Sequence, residues 1–133
     1  MTKLNVKTEK REELYEITSE IRHAVDASGV REGICQIYVP HTTAAVLVQE
    51  ADDPAVARDI ATHLRRLFPR EGPYEHNDGN ADAHMKATVV GNTVAVLIEG
   101  GKICLGTWQG IFFCEFDGPR NREVWVRVQG GGA

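Results

Sequence analysis

The chain has 133 residues, 42% of them hydrophobic and 26% charged, which fits one soluble globular domain and leaves no room for a second. Fifteen Lys and Arg against nineteen Asp and Glu give a net charge of −4, which argues against nucleic acid or an anionic membrane as a partner. Those surfaces select clustered cations that displace counterions. A chain of this size buries about two-thirds of the surface its unfolded form exposes, so any metal would serve chemistry before stability.

The first sixteen residues, MTKLNVKTEKREELYE, are studded with charge and contain no apolar run long enough for a signal peptide or membrane span, which predicts a cytoplasmic protein. Strands are expected at residues 3–8 and 13–17. Thr18 or Ser19 then caps a helix whose Ile21, Ala24 and Val25 recur at helical spacing up to Gly29. GICQIYV, residues 33–39, reads as a strand ending at Pro40, and AAVLVQE, residues 44–50, as the next. Between them lies the polar tripeptide His41-Thr42-Thr43. Asp52 or Asp53 followed by Pro54 opens a second helix, with Val56, Ile60, His63, Leu64 and Leu67 on one stripe.

Residues 70–84, REGPYEHNDGNADAH, lack hydrophobic periodicity but are dense in specialised side chains, which marks them as a functional segment rather than a linker. Four β-type runs follow, NTVAVLIEG, GKICLG, QGIFFCEFD and REVWVRVQ, bounded by glycines and Asp-Gly-Pro. The pattern predicts a single α+β domain over residues 1–129, with two main helices and an antiparallel sheet in its C-terminal half. A flexible tail is expected at 130–133. Cys35, Cys104 and Cys114 lack Cys-x-x-Cys spacing and lie in apolar runs, so each is expected to be a buried hydrophobe.

Three histidines, His41, His76 and His84, sit in polar, turn-like sequence. Imidazole is neutral near pH 7 and ligates zinc-like metals, and three of them with an open position would make a catalytic centre. Their spacing matches no metal motif, so the site depends on two loops meeting. His23 and His63 lie within the helices and stay outside it. In GIFFCEFD the strand period puts Glu115 and Asp117 on one face, with α-carbons about 6.6 Å apart, where they can share a cation or grip a substrate, unless that face is simply solvated. Arg120, after the rigid Gly118-Pro119, offers a bidentate fork for phosphate, with Arg122, Lys86 and Lys102 as lesser candidates. Thr42 and Thr43 add hydroxyls. Trp108 and Gln109, between glycines, suit a flat ring stacked on indole and read at its edge, though burial of the indole in the core fits equally. Neither a P-loop nor a Rossmann fingerprint is present.

HTTA at 41–44, QEADDP at 49–54, HNDGNADAH at 76–84 and LGTWQGIFFCEFDGPR at 105–120 together resemble the YjbQ family, small bacterial and archaeal proteins described as secondary thiamine-phosphate synthases. The resemblance covers nearly the whole chain. It implies an α+β subunit with a large, mainly antiparallel sheet, assembled as a homotrimer, with the matching polar residues in a cleft near subunit boundaries. The implied activity joins an aminopyrimidine methyl diphosphate to a thiazole phosphate, as a side reaction of an enzyme whose main task is different. Such chemistry would use Arg120 on the leaving diphosphate, and magnesium held by oxygen from Glu115, Asp117 or Glu50. The histidines instead suit a zinc-like ion and a hydrolase or lyase acting on a small phosphorylated metabolite. In either case His41, His84, Glu115 and Asp117 are the expected catalytic groups, and Thr42, Thr43, Trp108, Gln109 and Arg120 the substrate-binding ones. A non-catalytic trimer that binds an anionic metabolite is the alternative from another class.

Overall fold

The computed structural model describes residues 1–131. Eight strands and three helices follow in the order β1 (Thr2–Lys7), β2 (Glu13–Glu16), α1 (Thr18–Ser28), β3 (Gly33–Tyr38), β4 (Ala44–Glu50), α2 (Pro54–Leu67), α3 (Ala81–Val90), β5 (Thr93–Glu99), β6 (Lys102–Ile103), β7 (Gln109–Glu115) and β8 (Asn121–Gly130). Every strand pair is antiparallel. The strands form a five-stranded sheet, β1-β8-β3-β5-β6, and a three-stranded sheet, β2-β7-β4.

The central strand of the small sheet, β7, is buried on both faces, which explains its near-continuous apolar run. Ile111 and Phe113 of β7, with Ala44 and Val46 of β4, join α1 and the inner face of the large sheet in the main core. The alternate residues Cys114 and Phe116, with Ala45, pack under Leu64 of α2 and Ala83 and Ala87 of α3 in a second core. Each fully buried Phe, Ile or Val here contributes roughly 1.5–3 kcal/mol of transfer free energy. The outer face of the large sheet stays open: Ile34, Tyr38 and Leu97 are exposed there.

Local sequence chemistry sets the elements with three departures from expectation. Asp53 caps α2, its Oδ1 accepting from the Ala55 N–H at 2.9 Å, and Pro54 occupies the first turn. At α1, however, Thr18 does not cap: its hydroxyl donates to Glu16 and accepts from the Ile111 N–H, tying the helix start to β7. The second departure is α3, which begins inside the segment that lacked periodicity. Its buried face carries Asp82 and Lys86 while Met85 and Val89 are exposed, so no apolar stripe announces it. The third is the C-terminus. β8 continues to Gly130, which pairs with Gly33, and the Gly131 N–H donates to the Glu32 carbonyl at 2.7 Å, so the expected tail begins too early at 130. Gly132 and Ala133 lie outside the described residues.

Two cysteines match expectation and one does not. Cys35 and Cys114 are buried, and burial pushes their thiols up, Cys35 to about 11. Cys104 is exposed just after β6. No described helix is long and apolar enough to cross a membrane.

Candidate functional site

Four chain segments meet at one end of the molecule. The Pro40–Thr43 turn leaves β3, Asn80–His84 opens α3, Asp117 follows β7 and Arg120–Glu123 starts β8. A recess of about 350 Å³ is lined by His41, Thr42, Thr43 and Pro40 on one side, and by Asn80, His84, Asp117, Arg120 and Arg122 on the other. A second recess of about 480 Å³ shares His41, Thr42 and His84 and continues over Ala44, Ala87 and Asn92. Both volumes lie in the range of small-molecule sites.

The floor is a buried ion pair. Glu115, with 0% exposure, accepts from Arg122 Nε at 2.8 Å and from Arg122 Nη2, from the Thr8 hydroxyl at 2.8 Å, and from the Asp117 N–H at 3.0 Å. Burial by itself would raise its pKa, but the guanidinium and the two further donors overcome that and hold it below the ordinary carboxylate range. Arg122 Nη2 also donates to the Thr43 hydroxyl at 2.9 Å. Glu115 is thereby consumed in holding Arg122 and Thr43 in place. The alternative of a solvated outer face does not hold at Glu115, which is fully buried.

Above it runs a chain of hydrogen bonds. His76 Nε2 lies 2.9 Å from Asn80 Oδ1, the Asn80 amide donates to Asp117 Oδ2 at 2.8 Å, and Arg120 donates to that same oxygen at 2.9 Å and to the Asp117 carbonyl at 2.7 Å. Burial opposes charge on Asp117, but Asn80 and Arg120 outweigh it, so its pKa is lowered. Arg120 spends Nε and Nη2 on Asp117, leaving Nη1 for a ligand. The His76 and His84 rings meet edge to face with centroids 5.0 Å apart.

His41 is held by backbone. Its Nε2 accepts from the Glu123 N–H at 3.0 Å and lies 3.2 Å from the Glu123 carbonyl. Burial first, and the nearby Arg122 charge second, lower its pKa below the ordinary 6.5. At neutral pH it is therefore an uncharged imidazole, and the accepting Nε2 assigns its proton to Nδ1.

The structure thus brings together His41, Thr42, Thr43, His84, Asp117, Arg120 and Arg122, with His76 against His84. It does not bring in Trp108 and Gln109. Gln109 begins β7 and Trp108 lies in the turn before it, roughly 20 Å along the strand from Glu115. Trp108 is 59% exposed, and Gln109 Oε1 accepts from the Gly106 N–H at 2.8 Å, closing its own turn. Glu50, one of the three carboxylates expected to offer oxygen to magnesium, pairs with Gln109 at that same far end and lies away from Glu115 and Asp117. For a zinc-like ion, two imidazoles bound at tetrahedral angles hold their centroids about 5 Å apart. The His76–His84 pair has that spacing, but His76 Nε2 is engaged with Asn80, and among the described residues no group of three His, Cys, Asp or Glu side chains is arranged to hold an ion. Lys86 and Lys102 also lie outside the pocket.

Sequence reasoning missed two contributors. Asn80 bridges His76 to Asp117, and its position just before α3 was hidden with that helix. The 8–12 connection is the other. Thr8 bonds Glu115 and the backbone of Arg120, while Arg11 and Glu12 bond the inward-facing Asp82 and Lys86 of α3. Only its charge density signalled it.

With this geometry established, comparison places the chain among known proteins. Residues 2–131 match the family model described as UPF0047 protein YjbQ-like. The chain belongs to the YjbQ/UPF0047 family. Among curated YjbQ/UPF0047 relatives, a UPF0047 protein from Methanocaldococcus jannaschii is 50% identical over 96% of this chain and 93% of its own length. YugU from Bacillus subtilis is 42% identical over 96% and 97%. A solved structure of a YjbQ/UPF0047 family protein from Clostridium acetobutylicum superposes with a TM-score of 0.95 at 44% identity, covering 97% of this chain and all of that one. A hypothetical protein from Aeropyrum pernix gives 0.93 at 39%, covering 98% of each. The α+β fold read from the sequence is thus the fold of the YjbQ family.

Proposed function

We propose that the recess is the active site of an enzyme that works by acid–base chemistry on a small phosphorylated metabolite, with thiamine-phosphate synthesis as a secondary reaction. The observation that carries this reading is the convergence of His41, His84 and Arg120 from three distant segments on one cavity. Polar groups gathered at this density are costly as mere packing. In the secondary reaction the bond between the pyrimidine methylene and the diphosphate oxygen breaks, the electron pair leaves with diphosphate, and the thiazole nitrogen bonds to the methylene. The free edge of Arg120 would meet the departing charge, the Nδ1–H of His41 would hydrogen-bond it, and Thr42 would add a hydroxyl.

A metal-dependent hydrolase or lyase is the second reading, favoured by the spacing of His76 and His84. One experiment separates the two. Protein purified without an affinity tag is assayed for thiamine phosphate from the two substrates, with and without chelator, beside elemental analysis. Turnover that survives chelation supports acid–base chemistry; turnover lost with a stoichiometric transition metal supports the second reading; none under either condition leaves a metabolite-binding protein.

Homotrimer assembly is part of the proposal. The open face of the large sheet supports it: Ile34 pairs with Leu97 and Tyr38 with Trp125, so these apolar side chains share one uncovered surface.

A further inference from the structure

A groove at the opposite end of the β3–β5 pair from the histidines is unlike the rest of this acidic chain. It runs between the last turns of α1 and the β5–β6 hairpin, as two adjoining recesses of about 190 and 180 Å³ that share Val25, Asp26 and Gly101. Its floor is apolar, with Val25 at 1% and Ile103 at 6% exposure. Its rim carries Arg22, Arg31 and Lys102 against the single acid Asp26.

The three cations stand in no ion pair or side-chain hydrogen bond among the described residues, whereas Arg122 of the histidine recess is spent on Glu115 and Arg120 keeps one edge free beside Asp117. The end of α1 does not occupy them either. Two of its last carbonyls are already satisfied, Asp26 by the Gly29 N–H and Val25 by the Ser28 hydroxyl at 2.6 Å. Two further acids flank the groove without lining it: Glu32 accepts from the Gly100 N–H at 3.2 Å, and Glu99 stands opposite Lys102 across the β5–β6 ladder, neither within ion-pair distance of the three cations. The Gly101 N–H donates to the Arg31 carbonyl at 2.9 Å, and a Cβ at Gly101 would lie 3.3 Å from Arg31 Nη1. The Arg31 guanidinium is thus laid over a glycine whose φ of +78° an L side chain would strain.

We infer that this groove is a second ligand site, for a small organic anion with an apolar body: the anionic end on Arg31 and Lys102, the apolar part over Val25 and Ile103. It is independent of the chemistry assigned to the histidine recess.

The test is residue-resolved NMR of the intact protein titrated with phenyl phosphate, beside inorganic phosphate and phenol. Saturable shifts are expected at Val25–Arg31 and Gly100–Ile103, with phenyl phosphate binding more tightly than either half. The double variant R31Q/K102Q, which alters two exposed side chains, should weaken that binding about tenfold or more with the spectrum otherwise retained. Arg22→Gln gives an independent check should the double variant lose its fold. The site is overturned if shifts appear only around His41 and His84, if they track equally at Lys3 and Lys7, or if the variants bind as the parent does. Shifts at the two places are read separately, so this outcome does not decide the proposed activity.

Discussion

At the residue scale the site rests on one buried pair. Glu115 and Arg122 are almost fully removed from water, so deleting one partner strands the other. Arg122→Ala should cost about 3–5 kcal/mol, read as a lowered denaturant midpoint. His84 is different: half-buried at the pocket wall, it makes no side-chain hydrogen bond that the fold depends on. His84→Ala should reduce turnover about a hundredfold or more while the melting temperature stays nearly constant; unfolding would instead make that histidine structural. His41 has its pKa lowered on folding, so the unfolded chain takes up a proton near pH 6.5 while the folded one does not. That contribution to stability is complete above 6.5 and declines as pH falls toward the folded value. NMR titration of the His41 ring should place its midpoint below 6.5. Glu115, Asp117 and Asp82 are lowered too, and their contributions persist above the ordinary carboxylate range and vanish in stronger acid.

At the scale of elements, α3 is the lesson. Strands and the first two helices were legible because each turns a periodic apolar face to a core. α3 turns inward Asp82 and Lys86, bonded to each other at 2.7 Å and to Arg11 and Glu12 across 70 or more positions, so its periodicity is in charge. No local pattern encodes a partner that far away. Removing the inward ammonium with Lys86→Met should still cost about 3 kcal/mol, because Asp82 stays buried, and should loosen His84 with the helix. The turn after β7 carries a second constraint. A Cβ on Gly118 would run into the Lys10 carbonyl oxygen and the Glu115 side chain, so Gly118→Ala should destabilise by about 1–3 kcal/mol in thermal unfolding.

At the scale of the whole molecule, the sequence motifs located the pocket but not its division of labour. His41, His84, Asp117 and Arg120 were legible as unusual polar residues beside turns, and the fold brings them together. Glu115 read as a site carboxylate because alternation shows which face it shares and not what covers that face. Trp108 and Gln109 read as ligand-binding because their motif adjoins β7, and a strand of seven residues carries them to its far end. The central claim is that one recess of this YjbQ-family protein binds an anionic phosphate through Arg120 between two histidines. Its most direct measurement is a titration of isotope-labelled protein with inorganic pyrophosphate, comparing the parent chain with Arg120→Ala. The account predicts saturable shifts at His41–Thr43, Asn80–His84 and Asp117–Arg122 that weaken about tenfold in the variant. Shifts that avoid those three segments, or that persist unchanged without Arg120, would contradict it.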